Sequence, residues 1–477
     1  MNQPRRTKIV ATVGPASREP AMLRELIEAG VDVFRLNFSH GTAPDHAENI
    51  ERIRAVASEL GVEIGILGDL PGPKLRLGDL EDGVAVLHSG SEVVLYGDDD
   101  EGPPGSAEHL PVMWSGIAKA VEPEHPIYLA DGRVRLKVKG VADGEISAEV
   151  EAGGAVSSHQ GVNLPGADAE LPESGASDAA WIDFAVDHEI DILAVSFVRR
   201  PSDLEKVEAA LEKRGSDIPL VAKIEKPQAF ERAEQLIEAA DGGIMVARGD
   251  LGVELPIEEV PEAQKRLISL AGKASKPSIT ATQMLATMVK ASRPTRAEVT
   301  DVANAIFDGT DAIMLSEETA VGEHVVEAVR VMDRVARAAE RQLPYGDWLW
   351  NRVAEGERDV AETVAQVAVA ATYRLDLAAI VVPTGSGRTP RLVSAYRPRV
   401  PVLAVSSRTE TVRRMNLLFG VLATHAEPWE SLRQLLDDCA ELAKAQGCAK
   451  SGDLIAVTAG LPSQELGTNL FEVHRVP

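Results

Sequence analysis

This chain of 477 residues has little cysteine, no long apolar run and no excess of basic residues. Its two cysteines, Cys439 and Cys448, are too few for a disulfide framework or a zinc site. The longest apolar runs, such as Leu377 to Pro383, fall far short of the roughly 20 residues needed to cross a bilayer. The first residues, Met1 to Arg6, lack the layout of a signal peptide. These absences exclude a disulfide-stapled or membrane-spanning class and predict a cytoplasmic protein.

The charge balance argues against nucleic acid as a partner. Acidic residues number 74 against 49 basic ones, which gives a formal charge of −25. Such a surface repels a phosphate backbone. An anionic substrate would therefore need a local pocket of Lys and Arg set against the overall negative field.

The order of apolar runs predicts the main fold. A chain of this length divides into two or three domains, and short apolar runs alternating with amphipathic segments are typical of parallel strands covered by helices. Eight such strands are predicted: Lys8 to Val13, Val33 to Phe38, Glu63 to Leu70, Ile192 to Phe197, Leu220 to Ile224, Gly243 to Ala247, Ser278 to Thr282 and Ala312 to Leu315. This pattern predicts a (β/α)₈ TIM barrel, interrupted after its third strand.

Two further domains complete the predicted architecture. The interruption is rich in Gly, Asp and Glu and contains alternating segments such as Ser91 to Tyr96, so residues 73–165 are predicted to form a small β-barrel lid. Residues 1–72 and 166–343 would form the TIM barrel. After the helical run from His324 to Gln342, residues 344–477 predict a C-terminal α/β domain.

Polar residues lie at the ends of several of the predicted barrel strands. Chemistry in a TIM barrel clusters at the carboxyl ends of the strands. Cations, carboxylates and a hydroxyl gather there, which is the mixture that phosphoryl transfer requires. The residues are Arg35, Asn37, Ser39, His40, Lys223, Glu225, Arg248, Gly249, Asp250, Thr282 and Gln283.

Two of these carboxylates predict a magnesium site. Glu225 and Asp250 are suited to Mg²⁺, which takes few protein ligands and keeps substrate oxygens and water. Lys223 would neutralise charge developing on a phosphoryl group or an enolate oxygen. For any one residue the structural explanation is the better one: Lys223 and Glu225 alternate along a strand, and Asp250 caps a helix. The joint pattern over several strands favours the functional interpretation.

Seven segments resemble the signature blocks of pyruvate kinases. They read TKIVATVGPAS (7–17), FRLNFSHG (34–41), VAKIEKP, IMVARGDLGVELP, ATQML, RPTRAEVTDVANAIFDG and MLSEETA, in family order over nearly the whole chain. GVNLPGA (161–167), which in that family returns the chain from the lid to the barrel, matches the predicted boundary. The resemblance implies a glycolytic enzyme that forms pyruvate and ATP from phosphoenolpyruvate and ADP, usually as a homotetramer.

The resemblance also implies roles for individual residues. Lys223 would stabilise the enolate and the transferring phosphoryl group, with Glu225 and Asp250 holding Mg²⁺, for which Mn²⁺ is expected to substitute. Phosphoenolpyruvate would be bound by Arg35, Lys223, Gly249, Asp250 and Thr282, with Thr282 near the carbon to be protonated. The nucleotide phosphates and a second Mg²⁺ would be contacted by Asn37, His40 and Arg76.

One departure from the family pattern concerns potassium. Members that need K⁺ read Asp-Thr-Lys-Gly-Pro-Glu where this chain has Asp69, Leu70, Pro71, Gly72, Pro73 and Lys74. The last difference, Lys74 in place of Glu, reverses a charge. The hypothesis is that the Lys74 ammonium replaces the monovalent cation near Asn37, Ser39 and Asp69. The resemblance to K⁺-independent members therefore implies an enzyme that does not require K⁺; the alternative is a surface lysine.

Other departures affect the lid and the third domain. His159 and Gln160 stand where many relatives carry a lysine that reaches the nucleotide, and Glu317 replaces a common glycine. The loop TGSGRT, formed by Thr384, Gly385, Ser386, Gly387, Arg388 and Thr389, joins a strand to a helix and resembles the effector loop for sugar phosphates. Gly385 replaces a frequent lysine, and residues 459–466 lack an arginine of fructose-bisphosphate-activated members, so AMP or a sugar monophosphate is the expected effector.

Two alternatives remain at this point. Another metal-dependent barrel acting on enolates, such as an aldolase or a phosphotransferase with a swivelling histidine domain, would share the metal site but leave the lid unexplained. A catalytically silent sensor working through the third domain would have no need of Lys223, Glu225, Asp250 and Thr282.

Overall fold

The computed structural model describes residues 4–73, 75–98, 104–130, 132–165, 175–353, 359–460 and 467–477, with backbone alone for residues 175–177. Strands and helices are numbered in chain order. Lys74, residues 166–174 of the predicted return to the barrel, and residues 461–466 of the predicted effector region lie outside this described part. The domain boundaries therefore stay predictions.

Eight parallel strands close into a barrel in the order β1-β16-β15-β14-β13-β12-β3-β2. Their residues are buried almost throughout, as expected of apolar strands covered on both faces. The strands are β1 (Lys8–Thr12), β2 (Val33–Asn37), β3 (Gly65–Asp69), β12 (Ile192–Val195), β13 (Leu220–Ile224), β14 (Gly243–Ala247), β15 (Ser278–Ala281) and β16 (Ala312–Leu315). The predicted interrupted TIM barrel is confirmed.

Helices surround the barrel strands. Two of them begin with a reciprocal capping box, Thr42 with Asp45 and Thr295 with Glu298, which satisfies backbone donors at the first turn. The helices are α1 (Pro20–Ala29), α2 (Ala43–Leu60), α3 (Gly175–Asp187), α4 (Pro201–Lys213), α5 (Pro227–Glu231), α6 (Ala233–Ala239), α7 (Arg248–Glu254), α8 (Val260–Lys273), α9 (Arg296–Phe307), α10 (Glu317–Ala320) and α11 (Val325–Glu340).

The insert after β3 is built from strands around a core of its own. A six-stranded sheet has the order β11-β7-β8-β9-β5-β6, and β10 pairs with β4 in a second sheet. The strands of the predicted small barrel are thus divided between two sheets, one of six strands and one of two. Its strands are β4 (Val84–Leu87), β5 (Glu92–Gly97), β6 (His109–Val112), β7 (Pro126–Leu129), β8 (Val134–Ala142), β9 (Glu145–Ala152), β10 (Gly154–Ser157) and β11 (Val162–Asn163).

The C-terminal α/β unit has a five-stranded sheet of order β19-β18-β17-β20-β21, in which β21 is antiparallel to β20. Its strands are β17 (Leu377–Pro383), β18 (Val402–Ser406), β19 (Val421–His425), β20 (Leu454–Ala459) and β21 (Leu470–Arg475). Its helices are α12 (Tyr345–Val353), α13 (Val360–Ala371), α14 (Arg388–Ala395), α15 (Thr409–Met415) and α16 (Leu432–Ala445).

The C-terminal unit packs on the amino-terminal end of the barrel. Leu417 joins the apolar cluster inside the barrel, and the Arg397 guanidinium donates to the Asp311 carboxylate at 2.6 Å. Lys8, at the start of β1, donates to the Val421 carbonyl at 2.7 Å. This packing leaves the carboxyl end of the barrel, where the insert departs after β3, as the face on which a site can form.

Two of the sequence-based exclusions can be checked. Cys439 and Cys448 form no disulfide with each other. Among the described residues, every helix is too short or too polar to cross a bilayer.

Candidate active site

Four polar side chains from neighbouring strands meet at the carboxyl end of the barrel. Arg35 of β2 donates from Nε to Asp69 Oδ2 of β3 at 2.7 Å. Lys223 of β13 donates to Ser196 Oγ at 2.7 Å, and its Nζ lies 3.2 Å from Asp69 Oδ1. Ser196, directly after β12, also donates to the Leu70 carbonyl at 2.7 Å. Strands β2, β3, β12 and β13 therefore supply one continuous polar network.

Lys223 is the centre of this network. Its ammonium lies 2.9 Å from Glu225 Oε1, and its side chain is 11% exposed. Burial alone would lower the pKa of Lys223, but the attraction of Asp69 and then of Glu225 outweighs burial and raises that pKa. The group is thus a permanent positive charge in a site shielded from water, where such a charge acts strongly.

Asp69 lies between the two cations of the network, Arg35 and Lys223. Burial would raise the pKa of its carboxyl, but Lys223 and Arg35 together lower it. Each of its oxygens faces a different cation, Oδ1 toward Lys223 and Oδ2 toward Arg35. This buried anion holds both cations in place before any substrate arrives.

Glu225 and Asp250 supply two carboxylates beside Lys223. Glu225 Oε2 accepts from the Phe197 amide at 2.7 Å, whereas the buried Oε1 accepts no well-aligned hydrogen bond. Burial raises the pKa of Glu225, and repulsion from Asp250 adds to the effect against the pull of Lys223. Glu225 Oε1 can therefore accept a further ligand, and Asp250 offers a second carboxylate nearby. Such a pair fits a hard cation such as Mg²⁺.

The described residues offer no cluster of three or more His, Cys, Asp or Glu side chains placed to bind a metal. Glu225 and Asp250 are the candidates for the protein's share of a magnesium shell. Mg²⁺ completes such a shell with water and substrate oxygens.

Thr282 has a backbone conformation that few threonines adopt. It follows β15 with φ +69°, which costs a β-branched residue about 1–3 kcal/mol. Arg248 compensates by donating to the Ala281 and Thr282 carbonyls at 3.2 and 2.7 Å. The Thr282 hydroxyl accepts from the Gly249 amide at 2.8 Å. The strained turn therefore fixes the hydroxyl over the start of α7, next to Asp250.

The predicted nucleotide residues occupy two places. Asn37 is the last residue of β2 and His40 lies in the turn that follows; Asn37 Oδ1 accepts from the Ser39 amide at 3.2 Å. Arg76 lies at the base of the insert and donates to the His159 carbonyl at 3.1 Å. Gln160, which replaces a family lysine, accepts from Ser157 Oγ at 2.9 Å.

The loop from Thr384 to Thr389 lies in the C-terminal unit between β17 and α14. Thr384 Oγ1 accepts from the Gly387 amide at 2.9 Å, and Thr411 donates to the Gly385 carbonyl at 3.0 Å. Gly387 has φ +79°, the left-handed conformation that favours glycine. Ser386, Arg388 and Thr389 complete the loop, and Thr389 is hydrogen-bonded to Thr468. This site is separate from the barrel mouth.

Ser196 and the anchoring role of Arg248 were not predicted from the sequence. Ser196 lies at the end of the fourth predicted strand, so a search of that strand's end for polar residues would have found it. The sequence placed Arg248 at a strand end. Its contacts with the Ala281 and Thr282 carbonyls depend on the turn at Thr282, which no sequence pattern predicted. Glu317 is exposed at the start of α10, and nothing in the structure explains this substitution.

Comparisons with known proteins agree with this architecture. The family model for the barrel domain of pyruvate kinase matches residues 4–329, and that for its alpha/beta domain matches residues 362–474. A pyruvate kinase from Geobacillus stearothermophilus is 43% identical over 98% of this chain and 80% of its own length. One from Thermococcus litoralis is 40% identical over 99% of both chains.

A solved structure of a pyruvate kinase has the same fold as this chain. A crystal structure of a pyruvate kinase from Cryptosporidium parvum superposes with a TM-score of 0.94 and 33% identity, covering 99% of this chain and 96% of its own. Two matching family models, full-length relatives and a shared three-part architecture agree. The chain therefore belongs to the pyruvate kinase family of phosphotransferases.

Proposed function

We propose that the barrel mouth transfers the phosphoryl group of phosphoenolpyruvate to ADP with Mg²⁺ held by Glu225 and Asp250. The observation that carries the proposal is the buried Lys223 ammonium, within 2.9 Å of Glu225 Oε1 and 3.2 Å of Asp69 Oδ1. A cation fixed in this way stabilises negative charge without reorganising during the reaction. The family match disfavours the aldolase, phosphotransferase and silent-sensor alternatives.

The proposed reaction balances in two steps. In the first, the bond between phosphorus and the enol oxygen of phosphoenolpyruvate breaks, while a terminal oxygen of ADP bonds to phosphorus. Arg35 binds the phosphate, and Lys223 neutralises charge on the transferring group and on the enolate oxygen left behind. Mg²⁺, when bound, supplies further neutralisation of these oxygens.

In the second step the enolate is protonated at its methylene carbon, which gives pyruvate. Thr282 is the proposed proton donor, acting with water, because its hydroxyl is fixed beside Gly249 and the start of α7. Gly249 and Asp250 would contact the substrate from the same side. The insert would close over the mouth and keep water away from the phosphoryl group.

Family membership supports the remaining assignments. Asn37, His40 and Arg76 would contact the nucleotide phosphates with a second Mg²⁺. The enzyme would act in glycolysis in the cytoplasm as a homotetramer, and Mn²⁺ would substitute for Mg²⁺.

We infer further that the enzyme needs no K⁺. Both oxygens of Asp69 already face protein cations, Arg35 and Lys223, and the Leu70 carbonyl accepts from Ser196. Lys74, whose placement lies outside the described residues, would supply the remaining positive charge near Asn37 and Ser39.

Pyruvate formation from phosphoenolpyruvate, ADP and Mg²⁺ tests both proposals when choline chloride replaces KCl at constant ionic strength. Wild-type activity is expected to be equal in the two salts. Lys74→Glu is expected to lose about 10- to 100-fold of its activity in choline chloride and to recover it in KCl, because a site cation has been removed. The control Lys119→Glu makes the same charge reversal at an exposed position of the insert. K⁺-dependent wild-type activity would overturn the role of Lys74, and absence of pyruvate would overturn the reaction.

The loop from Thr384 to Thr389 is proposed to bind AMP or a sugar monophosphate that activates the enzyme. A Cβ at Gly385 would meet nothing within 4 Å, so the space beside the loop is open and the position tolerates a side chain. Gly385→Glu is expected to raise the half-activating concentration about tenfold, equivalent to about 1.4 kcal/mol, because a carboxylate repels a phosphate. Gly385→Gln, of similar shape but neutral, should keep the activation. Strong activation of the wild type by fructose bisphosphate with no monophosphate response would contradict this assignment.

A further inference from the structure

A small cavity of about 20 Å³ lies where the insert joins the barrel. Pro73 and Leu75, from the chain entering the insert, line one side of it. Asn163, from the chain leaving the insert, also lines it, together with barrel residues that include Arg199, Lys226 and Glu254. Both connections of the insert therefore border one cavity with the same charged barrel residues.

Asn163, Lys226 and Glu254 form a buried hydrogen-bonded cluster. Asn163 Nδ2 donates to Glu254 Oε1 at 3.1 Å, and the Lys226 ammonium pairs with the same oxygen. The Glu254 side chain is 1% exposed, so its charge depends on these two donors. Removing one donor from a buried carboxylate leaves it poorly compensated, and the groups around it must adjust.

The cluster is joined to both segments that carry the proposed magnesium ligands. Lys226 directly follows Glu225, and Glu254 is the last residue of α7, whose first turn contains Asp250. The Phe197 ring lies 5.8 Å from the Lys226 ammonium, while the Phe197 amide donates to Glu225 Oε2. Asn163 is therefore linked to the segments of Glu225 and Asp250 through Glu254 and Lys226.

We propose that Asn163 is a positioning residue which, through Glu254 and Lys226, couples the orientation of the insert to the placement of Glu225 and Asp250. The inference rests on the proposed role of those two carboxylates. With the Asn163 bond made, both carboxylate-bearing segments are held against the base of the insert. Without it, they are held to the barrel alone, and metal and phosphoenolpyruvate bind less tightly.

The test is a double-mutant cycle that exchanges the amide and the carboxylate between positions 163 and 254. Asn163→Asp removes the donor and places a second carboxylate against Glu254. It is expected to weaken Mn²⁺ binding about tenfold, followed by the electron paramagnetic resonance of the ion in the presence of phosphoenolpyruvate. The KM for phosphoenolpyruvate should rise in parallel, and kcat at saturating metal should change by less than about threefold. Adding Glu254→Gln to Asn163→Asp again gives the pair one amide and one carboxylate, now in exchanged positions. The double variant should recover most of the Mn²⁺ binding.

Further variants keep each outcome decisive. Asn163→Leu removes the donor at similar volume without adding charge, so it serves if Asn163→Asp does not fold, and it should weaken Mn²⁺ binding in the same direction. Wild-type Mn²⁺ binding in a folded Asn163→Leu, or no recovery in the double variant, would overturn the coupling. If Glu225→Gln also left metal binding unchanged, the proposed metal site itself would be wrong, whereas an effect of Glu225→Gln alone would reject only the role of Asn163.

Discussion

Lys223→Met is expected to lower kcat for pyruvate formation about 10³-fold, because fixed groups that stabilise transition-state charge have effects of this size. Methionine keeps most of the length of the side chain but loses the ammonium that contacts Ser196, Asp69 and Glu225. The KM for phosphoenolpyruvate should change much less than kcat, because Arg35 would still bind the phosphate. Steady-state measurement of pyruvate, with ADP and phosphoenolpyruvate varied in turn, separates the two constants.

A second reaction tests the role of Lys223 in stabilising the enolate. Exchange of the methyl protons of pyruvate with deuterated solvent passes through the same enolate but transfers no phosphoryl group. Lys223→Met should slow this exchange as well, which a role in phosphoryl transfer alone would not predict. Nuclear magnetic resonance of pyruvate follows the exchange directly.

Folding must be monitored in this variant, because its loss of charge also affects stability. Asp69 keeps Arg35 as a partner, but Glu225 loses the ammonium beside it, and an unpaired buried charge costs about 3–5 kcal/mol. Lys276→Met is a matched control, since Lys276 pairs with Asp241 and its side chain is likewise 11% exposed. The control should keep its kcat. A folded Lys223→Met with kcat within about tenfold of wild type would contradict the assignment.

Glu225→Gln is expected to raise the Mg²⁺ concentration for half-maximal activity about 100-fold, equivalent to about 2.8 kcal/mol. The substitution preserves shape, and an amide oxygen can still accept from the Phe197 amide. It removes one of the two negative charges offered to the cation, and Mg²⁺ is held chiefly by charged oxygens. Activity measured across a Mg²⁺ titration gives the constant, and Mn²⁺ binding gives an independent value.

Glu340→Gln is the matched control for the loss of a buried carboxylate. Glu340 is 6% exposed and accepts from the Arg6 and Thr7 amides at the other end of the barrel. Its replacement should lower the melting temperature and leave the Mg²⁺ constant unchanged. An equal rise of that constant in both variants would mean that general loosening, not ligand loss, explains the result for Glu225.

The barrel could be predicted from the sequence because its strands carry a strong local signal. Runs such as Ile192–Val195 and Gly243–Ala247 are apolar along their whole length, as parallel strands covered on both faces must be. In the C-terminal unit, β19 (Val421–His425) and β21 (Leu470–Arg475) were not predicted. Both are only partly buried along most of their length, so polar residues interrupt their pattern and weaken the local signal.

The sequence also determined which chemical groups gather at the barrel mouth. Strand direction in a barrel is uniform, so residues toward or just beyond the carboxyl ends of their strands, such as Arg35, Lys223 and Asp250, must lie at one end. That argument needs only the position of each residue relative to its own strand. It therefore succeeds without knowledge of any distance between strands.

Only the tertiary structure decided which groups face one another. Lys223 is 27 residues from Ser196, and Asn163 is 91 residues from Glu254, and no local pattern links such pairs. Burial, which makes Asp69 and Glu225 depend on neighbouring cations, likewise arises only when strands, helices and insert pack together. Local sequence fixes the direction and surroundings of each strand, whereas charge pairing depends on distances through space, so the network around Lys223 emerges only from the folded chain.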